Sequence, residues 1–125
     1  MLAWSRLNPP VSEATWNGID QVVCTPKRLD VCTCKGCTAR DLNGKPPIIV
    51  RWAPISGEYE RCDPNFGSCD KYTPVISYSG SFMRAALPTN GLMFSLTASD
   101  EYREIATLAT DTLIYQGSCQ KQGGL

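Results

Sequence analysis

Short stretches in which apolar and polar residues alternate run through the chain from residue 48 onward, separated by clusters of Gly, Pro, Asn and Asp. This pattern is typical of antiparallel strands joined by tight turns. The apolar runs at 82–87 and 92–97 flank Pro88-Thr-Asn-Gly91. Because Asn-Gly between two apolar runs is a strong signal for a β-hairpin, we predict an antiparallel sheet over residues 48–119.

Residues 100–115 fit two patterns. Tyr102, Ile105 and Leu113 fit one face of a helix, whereas the run of Thr and Ile at 107–114 favours a strand. We predict strand, which gives a mainly β fold, a single small antiparallel barrel or sandwich. The alternative is an α+β fold in which residues 100–115 are helical.

The ends and the first third of the chain differ from this pattern. Residues 1–18 are predicted to be an irregular N-terminal segment, since Pro9-Pro10 enforces an extended backbone. Residues 24–46 hold four cysteines and almost no large apolar side chains, so they cannot bury a core of their own. We predict a Cys-rich flap that is held covalently or by a metal across one end of the sheet. Residues 120–125 are predicted to be a disordered tail.

Composition limits the possible functions. A chain of 125 residues fits a single domain, 1–125. Since it contains no histidine, it cannot build a Ser-His or Cys-His nucleophile pair or a His-based zinc site. The 12 Lys and Arg balance the 12 Asp and Glu, which argues against nucleic acid as a partner. We expect no membrane span and no signal peptide, because no apolar run is long enough.

Seven cysteines allow at most three intramolecular disulfides. Cys62 and Cys69 flank a turn rich in Asp, Pro, Asn and Gly, and they are the clearest predicted pair. Cys119 is remote from the others and is predicted to join the last strand to one flap cysteine. The flap cysteines are Cys24, Cys32, Cys34 and Cys37. The cysteine left over would allow a disulfide-linked dimer.

The same four flap cysteines are an alternative zinc set. Cys24, Cys32, Cys34 and Cys37 could supply four thiolates, and Cys34-Lys-Gly-Cys37 has the spacing of a zinc knuckle. Residues 24–51 hold six basic residues against two acidic ones, so such a flap could contact nucleic acid or protein. Zinc ribbons use two separated pairs of this spacing and the chain has one, so we prefer disulfides and expect no cofactor.

Abundant cysteine is typical of an oxidising compartment, so we expect a secreted or periplasmic protein. The leading hypothesis is a disulfide-stabilised binding module, either an inhibitor or a structural or interaction protein. It would bind an unknown protein or small ligand through rigid loops, without catalysis. The alternative is an intracellular zinc protein with four Cys ligands and a basic flap.

A third hypothesis is a small enzyme that uses carboxylates. Glu58 and Glu60 could form the pair of acidic groups that glycoside hydrolysis requires. Their alternation with Tyr59 favours a different interpretation, a solvated strand face whose intervening tyrosine is buried.

Overall fold

A single antiparallel sheet of ten strands makes up most of the described structure. The computed structural model describes residues 9–65 and 67–123. The strands are β1 (Gln21–Thr33), β2 (Gly36–Asp41), β3 (Ile49–Trp52), β4 (Tyr59–Asp63), β5 (Ser68–Tyr72), β6 (Val75–Ser79), β7 (Phe82–Leu87), β8 (Leu92–Leu96), β9 (Glu101–Leu108) and β10 (Asp111–Gln122). Short 3₁₀ turns cover Glu13–Trp16 and Pro88–Asn90.

The sheet curls into a half-barrel, with the strand order β5-β4-β3-β1-β10-β9-β8-β7-β6 and β2 added beside β1. The long strands β1 and β10 pair with each other at its centre, which places Gln21 at the start of β1 opposite Gln122 at the end of β10. Residues 100–115 lie mostly in β9 and β10. The prediction of a mainly β fold is therefore confirmed, and this segment is not helical.

The Cys-rich segment differs from the predicted flap, because most of it is a long hairpin within the sheet. A β-bulge between Pro26 and Arg28 divides β1 into two parts. Before the bulge, residues 22–24 pair with β3, and beyond it residues 28–33 pair with β2. All six residues of β2 are exposed. Backbone hydrogen bonds to neighbouring strands order this segment, although it has no core of its own. The pattern of apolar side chains in the sequence does not reveal such hydrogen bonds, and for this reason the hairpin was not predicted.

The chain ends also depart from the sequence-based expectation. β10 continues to Gln122, which pairs with Gln21 of β1, so residues 120–122 are strand rather than a disordered tail. Residues 124–125 lie outside the described residues. In the predicted irregular segment 1–18, the described part contains the 3₁₀ turn that carries the buried Trp16, and residues 1–8 lie outside the described part.

Aromatic side chains dominate the core on one face of the curled sheet. The rings of Trp16 and Trp52 meet edge to face with centroids 5.3 Å apart. Tyr59 packs against Phe94 at the same separation. All four side chains are essentially inaccessible to solvent. In β7, residues that face this core alternate with residues that face the other way, as the hairpin pattern predicts.

Candidate functional site: the outer face of the sheet

All seven cysteines lie among the described residues. Six of them form three disulfides between directly opposed residues of neighbouring strands, namely Cys24–Cys119, Cys32–Cys37 and Cys62–Cys69. The first joins β1 to β10 across a sequence separation of 95 residues. The other two close the β1–β2 and β4–β5 hairpins. Cys34 keeps a free, exposed thiol in the turn between β1 and β2.

The alternative zinc set is not assembled in this structure. Cys24 is bonded to β10, and Cys32 and Cys37 are bonded to each other, so only Cys34 of the four keeps a thiol. Among the described residues, Glu60 and the two sulfurs of the β4–β5 disulfide also lie within 4.8 Å of one another. Those sulfurs are bonded to each other, which leaves a single carboxylate at that position.

The face of the sheet opposite the core, here called the outer face, carries a row of polar and basic side chains. The basic row crosses six successive strands in register and consists of Ser77, Arg84, Ser95, Arg103, Gln116 and Arg28. Arg84 and Arg103 are exposed, and neither forms an ion pair with any described residue. Arg28 pairs with Asp30 at 3.0 Å. The row thus keeps two guanidinium groups available to an external anion.

A second row on the outer face is apolar. The apolar row crosses five strands in register and consists of Val75, Ala86, Met93, Ile105 and Ile114. Val75 is 67% exposed and Met93 is 45% exposed. Each member lies two residues along its strand from a member of the basic row, so the two rows run side by side about 7 Å apart. A solvated outer face would ordinarily be polar at these positions.

Most of the basic row, together with Met93 and Ile105 of the apolar row, lines a groove of about 730 Å³, a volume typical of ligand sites. Its lining residues are Lys27, Arg28, Phe82, Arg84, Met93, Ser95, Thr97, Glu101, Tyr102, Arg103, Ile105, Gln116, Gly117 and Ser118. Four of these residues are basic, and Glu101 is the single acidic one. The groove is therefore locally positive in a chain whose formal net charge is zero.

The bulge in β1 places two of these four basic residues, Lys27 and Arg28, at one end of the groove. Pro26, just before the bulge, lies directly opposite Gly117 of β10. A Cβ atom at position 117 would overlap the carbonyl oxygen of Thr25 and the Cα atom of Pro26. Glycine therefore permits the close approach of β1 to β10 at this point. The bulge residue Lys27 and the following Arg28 are both exposed and line the groove.

A second polar cluster lies on the core side, where it joins strands that are not neighbours in the sheet. Arg61 of β4 donates hydrogen bonds of 2.8–3.1 Å to both carboxylate oxygens of Glu104 in β9. The Tyr59 hydroxyl donates to the same carboxylate. The Arg61 guanidinium also lies 5.7 Å from the centre of the Tyr115 ring. Glu104 is completely buried, and this burial raises its pKa to about 8.

This cluster stabilises the half-barrel rather than forming a solvent-facing site. The Glu104 side chain has no exposed surface, and the Arg61 side chain is 23% exposed. The hydrogen bonds connect β4 with β9 across the interior, between the two arms of the curled sheet. Removal of either partner is costly, because it leaves buried polar atoms of the other without a hydrogen bond.

The carboxylates of the enzyme hypothesis lie elsewhere. Glu60 contacts Arg51 at 3.4 Å, and both Glu58 and Glu60 lie 3.9 Å from the Lys71 amino group. Tyr59, between them, is buried. The two glutamates thus form part of a solvated, charge-paired strand face, which is the interpretation that their alternation favours.

Arg84 and Arg103 are not among the site residues predicted from the sequence, which placed binding on loops. Each occupies a polar position between apolar residues of its strand, and that alternation is the one signal that marks it as outward-facing. Their alignment into a row depends on the register of several strand pairs. This register depends on the length and shape of the turns between successive strands, which the hydrophobic spacing within each strand does not fix.

No family model matches the chain, and neither a curated protein nor a solved structure shows significant similarity to it. No helix among the described residues has the length and apolar character needed to cross a bilayer. The class of protein is therefore defined by the features of the structure itself. It is an antiparallel β half-barrel with three disulfides and an outer face on which a basic row adjoins an apolar row.

Proposed function

We propose that this protein is a secreted or periplasmic binding module, without catalytic activity, that holds its ligand on the outer face of the sheet. The ligand carries both anionic and apolar groups. An inhibitor or a structural interaction protein would use such a module in the same way, because each acts by occupying a partner's surface.

The disulfides support the compartment. Three disulfides in a chain of 125 residues are typical of oxidising environments outside the cytosol. The Cys24–Cys119 bond is buried at the centre of the sheet, where it joins the two strands that carry the bulge and its opposing glycine. A scaffold fixed at this point holds the groove in one shape, which lowers the entropic cost of binding.

The observation that carries the proposal is the pair of adjacent rows. Arg84 and Arg103 lack an acidic partner among the described residues, and a guanidinium pairs well with a carboxylate, sulfate or phosphate. Met93 and Val75 expose apolar surface in the neighbouring row. Burial of that surface by a ligand is favourable by about 25 cal/mol per Å². A ligand that satisfies both rows must therefore be amphipathic and anionic.

Decanoate is a simple probe of this proposal, since it combines a carboxylate with an apolar chain. We expect decanoate, titrated below its micellar concentration, to shift the backbone amide NMR signals of β7–β10. The Arg84→Ala/Arg103→Ala variant should lose most of this response. The Lys35→Ala/Lys45→Ala variant is the matched control, because it removes two exposed charges outside the groove.

Two results would contradict the proposal. Amide shifts confined to loops, or to β3–β5, would place ligand binding off the outer face. An equal response from both double variants would show that net charge, rather than the basic row, determines binding.

A further inference from the structure

The geometry of the two rows points to a specific occupant. We infer that the outer face binds an acidic amphipathic helix of a partner protein, which lies across the strands along the rows. This inference rests on the proposed function and specifies the partner of the same face. A helix that binds in this way presents one apolar stripe and one neighbouring acidic stripe.

The spacing along the basic row fits acidic residues seven positions apart. Arg84 lies two strands from Arg103, and Arg103 lies two strands from Arg28. Since neighbouring strands are about 4.8 Å apart, successive arginines are separated by about 10 Å. Seven residues of an α-helix rise about 10.5 Å. Carboxylates at i and i+7 on one helix would therefore meet Arg84 and Arg103, and a third at i+14 would reach Arg28, which also pairs with Asp30.

The spacing along the apolar row fits the turns of the same helix. The row offers one side chain per strand, at intervals of about 4.8 Å, and one helical turn rises about 5.4 Å. Its five strands span about 19 Å, the length of about thirteen helical residues. Apolar residues that recur every three or four positions over about thirteen helical residues would thus run along Val75, Met93 and Ile114. These spacings match a helix better than an extended peptide, whose side chains on one face recur about every 6.8 Å.

Charge distinguishes this occupant from two others. A second copy of this face would add further basic residues to the interface and only one acidic residue of the groove to pair with them, and like charges repel. Nucleic acid would satisfy the arginines but would leave Met93 and Val75 against a phosphate backbone. An acidic helix with an apolar stripe satisfies both rows.

A pair of synthetic peptides tests the inference. The first peptide, of about eighteen residues, carries an apolar stripe and Glu at i, i+7 and i+14. The second has the same composition and apolar stripe, but its Glu residues lie on the opposite side of the helix. Fluorescence anisotropy should show that the first peptide binds at least about tenfold more tightly than the second.

Variants of the protein locate this binding on the rows. We expect Arg103→Glu to weaken binding of the first peptide by about tenfold or more. A peptide in which Lys replaces the central Glu should recover most of the lost affinity with this variant. Met93→Ser should weaken the binding of both peptides. The control Lys35→Ala/Lys45→Ala should change the affinity for neither peptide by more than about twofold.

Three outcomes would overturn the inference. The first is equal affinity of the protein for the two peptides. The second is binding of the first peptide without a gain in helicity by circular dichroism, which would show that it binds in an extended form. The third is binding of the protein to phosphatidylglycerol vesicles but to neither peptide. The decanoate titration separates this failure from failure of the proposed function. If decanoate shifts the amide signals of β7–β10 but neither peptide binds, the inference fails and the proposed function stands. If neither decanoate nor either peptide binds, both the inference and the proposed function fail.

Discussion

Glu104 shows how one buried carboxyl connects the two arms of the half-barrel. Desolvation disfavours its ionised form, whereas the donors of Arg61 and Tyr59 favour it. Its pKa of about 8, compared with an ordinary value of 4.5, indicates that desolvation is the larger effect. The folded protein therefore retains a proton on this group at pH values where the unfolded chain has released it.

This shift predicts a pH-dependent stability that Glu104→Gln should remove. A raised carboxyl pKa favours the folded state at low pH, and its contribution decreases as the pH rises from about 4.5 to about 8. In this range the free energy of unfolding should decrease by up to about 1.4 kcal/mol per pH unit more in the wild type than in Glu104→Gln. Urea unfolding of both proteins measures this difference between about pH 5 and about pH 9, the range in which the linkage relation places the effect. Parallel pH profiles would show that Arg61 keeps the carboxyl ionised throughout.

At the scale of the elements, the two central strands β1 and β10 determine the shape of the sheet. Their close approach at the bulge requires Gly117, and the Cys24–Cys119 bond lies two positions further along each strand. The shape of the groove and the positions of Lys27 and Arg28 both depend on this contact. The role of Gly117 could not be predicted from the sequence, because its partner Pro26 is more than ninety residues away in the chain.

Gly117→Ala should therefore destabilise the fold. The added methyl group overlaps the backbone of β1, and the backbone shifts that such overpacking forces typically lower the free energy of unfolding by about 1–3 kcal/mol. The neighbouring substitution Ser118→Ala is the control and should change stability by less than about 0.5 kcal/mol. Chemical denaturation measures both variants. A neutral Gly117→Ala would mean that β1 and β10 do not approach as closely as the structure shows.

The three disulfides should contribute unequally to stability. Cys24 and Cys119 close a loop with a sequence separation of 95 residues, whereas Cys32 and Cys37 are separated by 5. In the chain-entropy description, the long loop corresponds to about 4–5 kcal/mol and the short one to about 2 kcal/mol. Removal of the first pair by double alanine substitution should therefore lower the urea midpoint well below that of the second. The reverse order would contradict the central role assigned to the β1–β10 contact.

At the scale of the whole molecule, local signals predicted the class of fold but not the site. The alternation in 82–87 and 92–97 and the Asn-Gly turn identify a hairpin, and the β-branched run at 107–114 identifies strand. The long β1–β2 hairpin was not predicted, because its exposed residues carry no apolar pattern. The outer-face rows arise from the register of successive strand pairs, and that register depends on the turns that join the strands rather than on the alternation within each strand.

Cysteine chemistry at this scale gives a separate prediction about assembly. We expect one reactive thiol per chain, that of Cys34, when the native protein is titrated without reductant. A dimer that disappears on reduction should form through this thiol, and Cys34→Ser should remain monomeric on non-reducing electrophoresis. Seven reactive thiols in denaturant would contradict the disulfide-stabilised scaffold, and a dimer that persists in Cys34→Ser would contradict the assigned linkage.

The most direct test of the binding face is an amide chemical-shift map of the isotope-labelled protein titrated with the acidic amphipathic peptide. Binding on the outer face predicts that the largest shifts fall on β7–β10 and on the bulge at Lys27 and Arg28, and that they disappear in Arg84→Ala/Arg103→Ala. Shifts centred on β3–β5 or on the connecting loops, and unchanged in that variant, would contradict it.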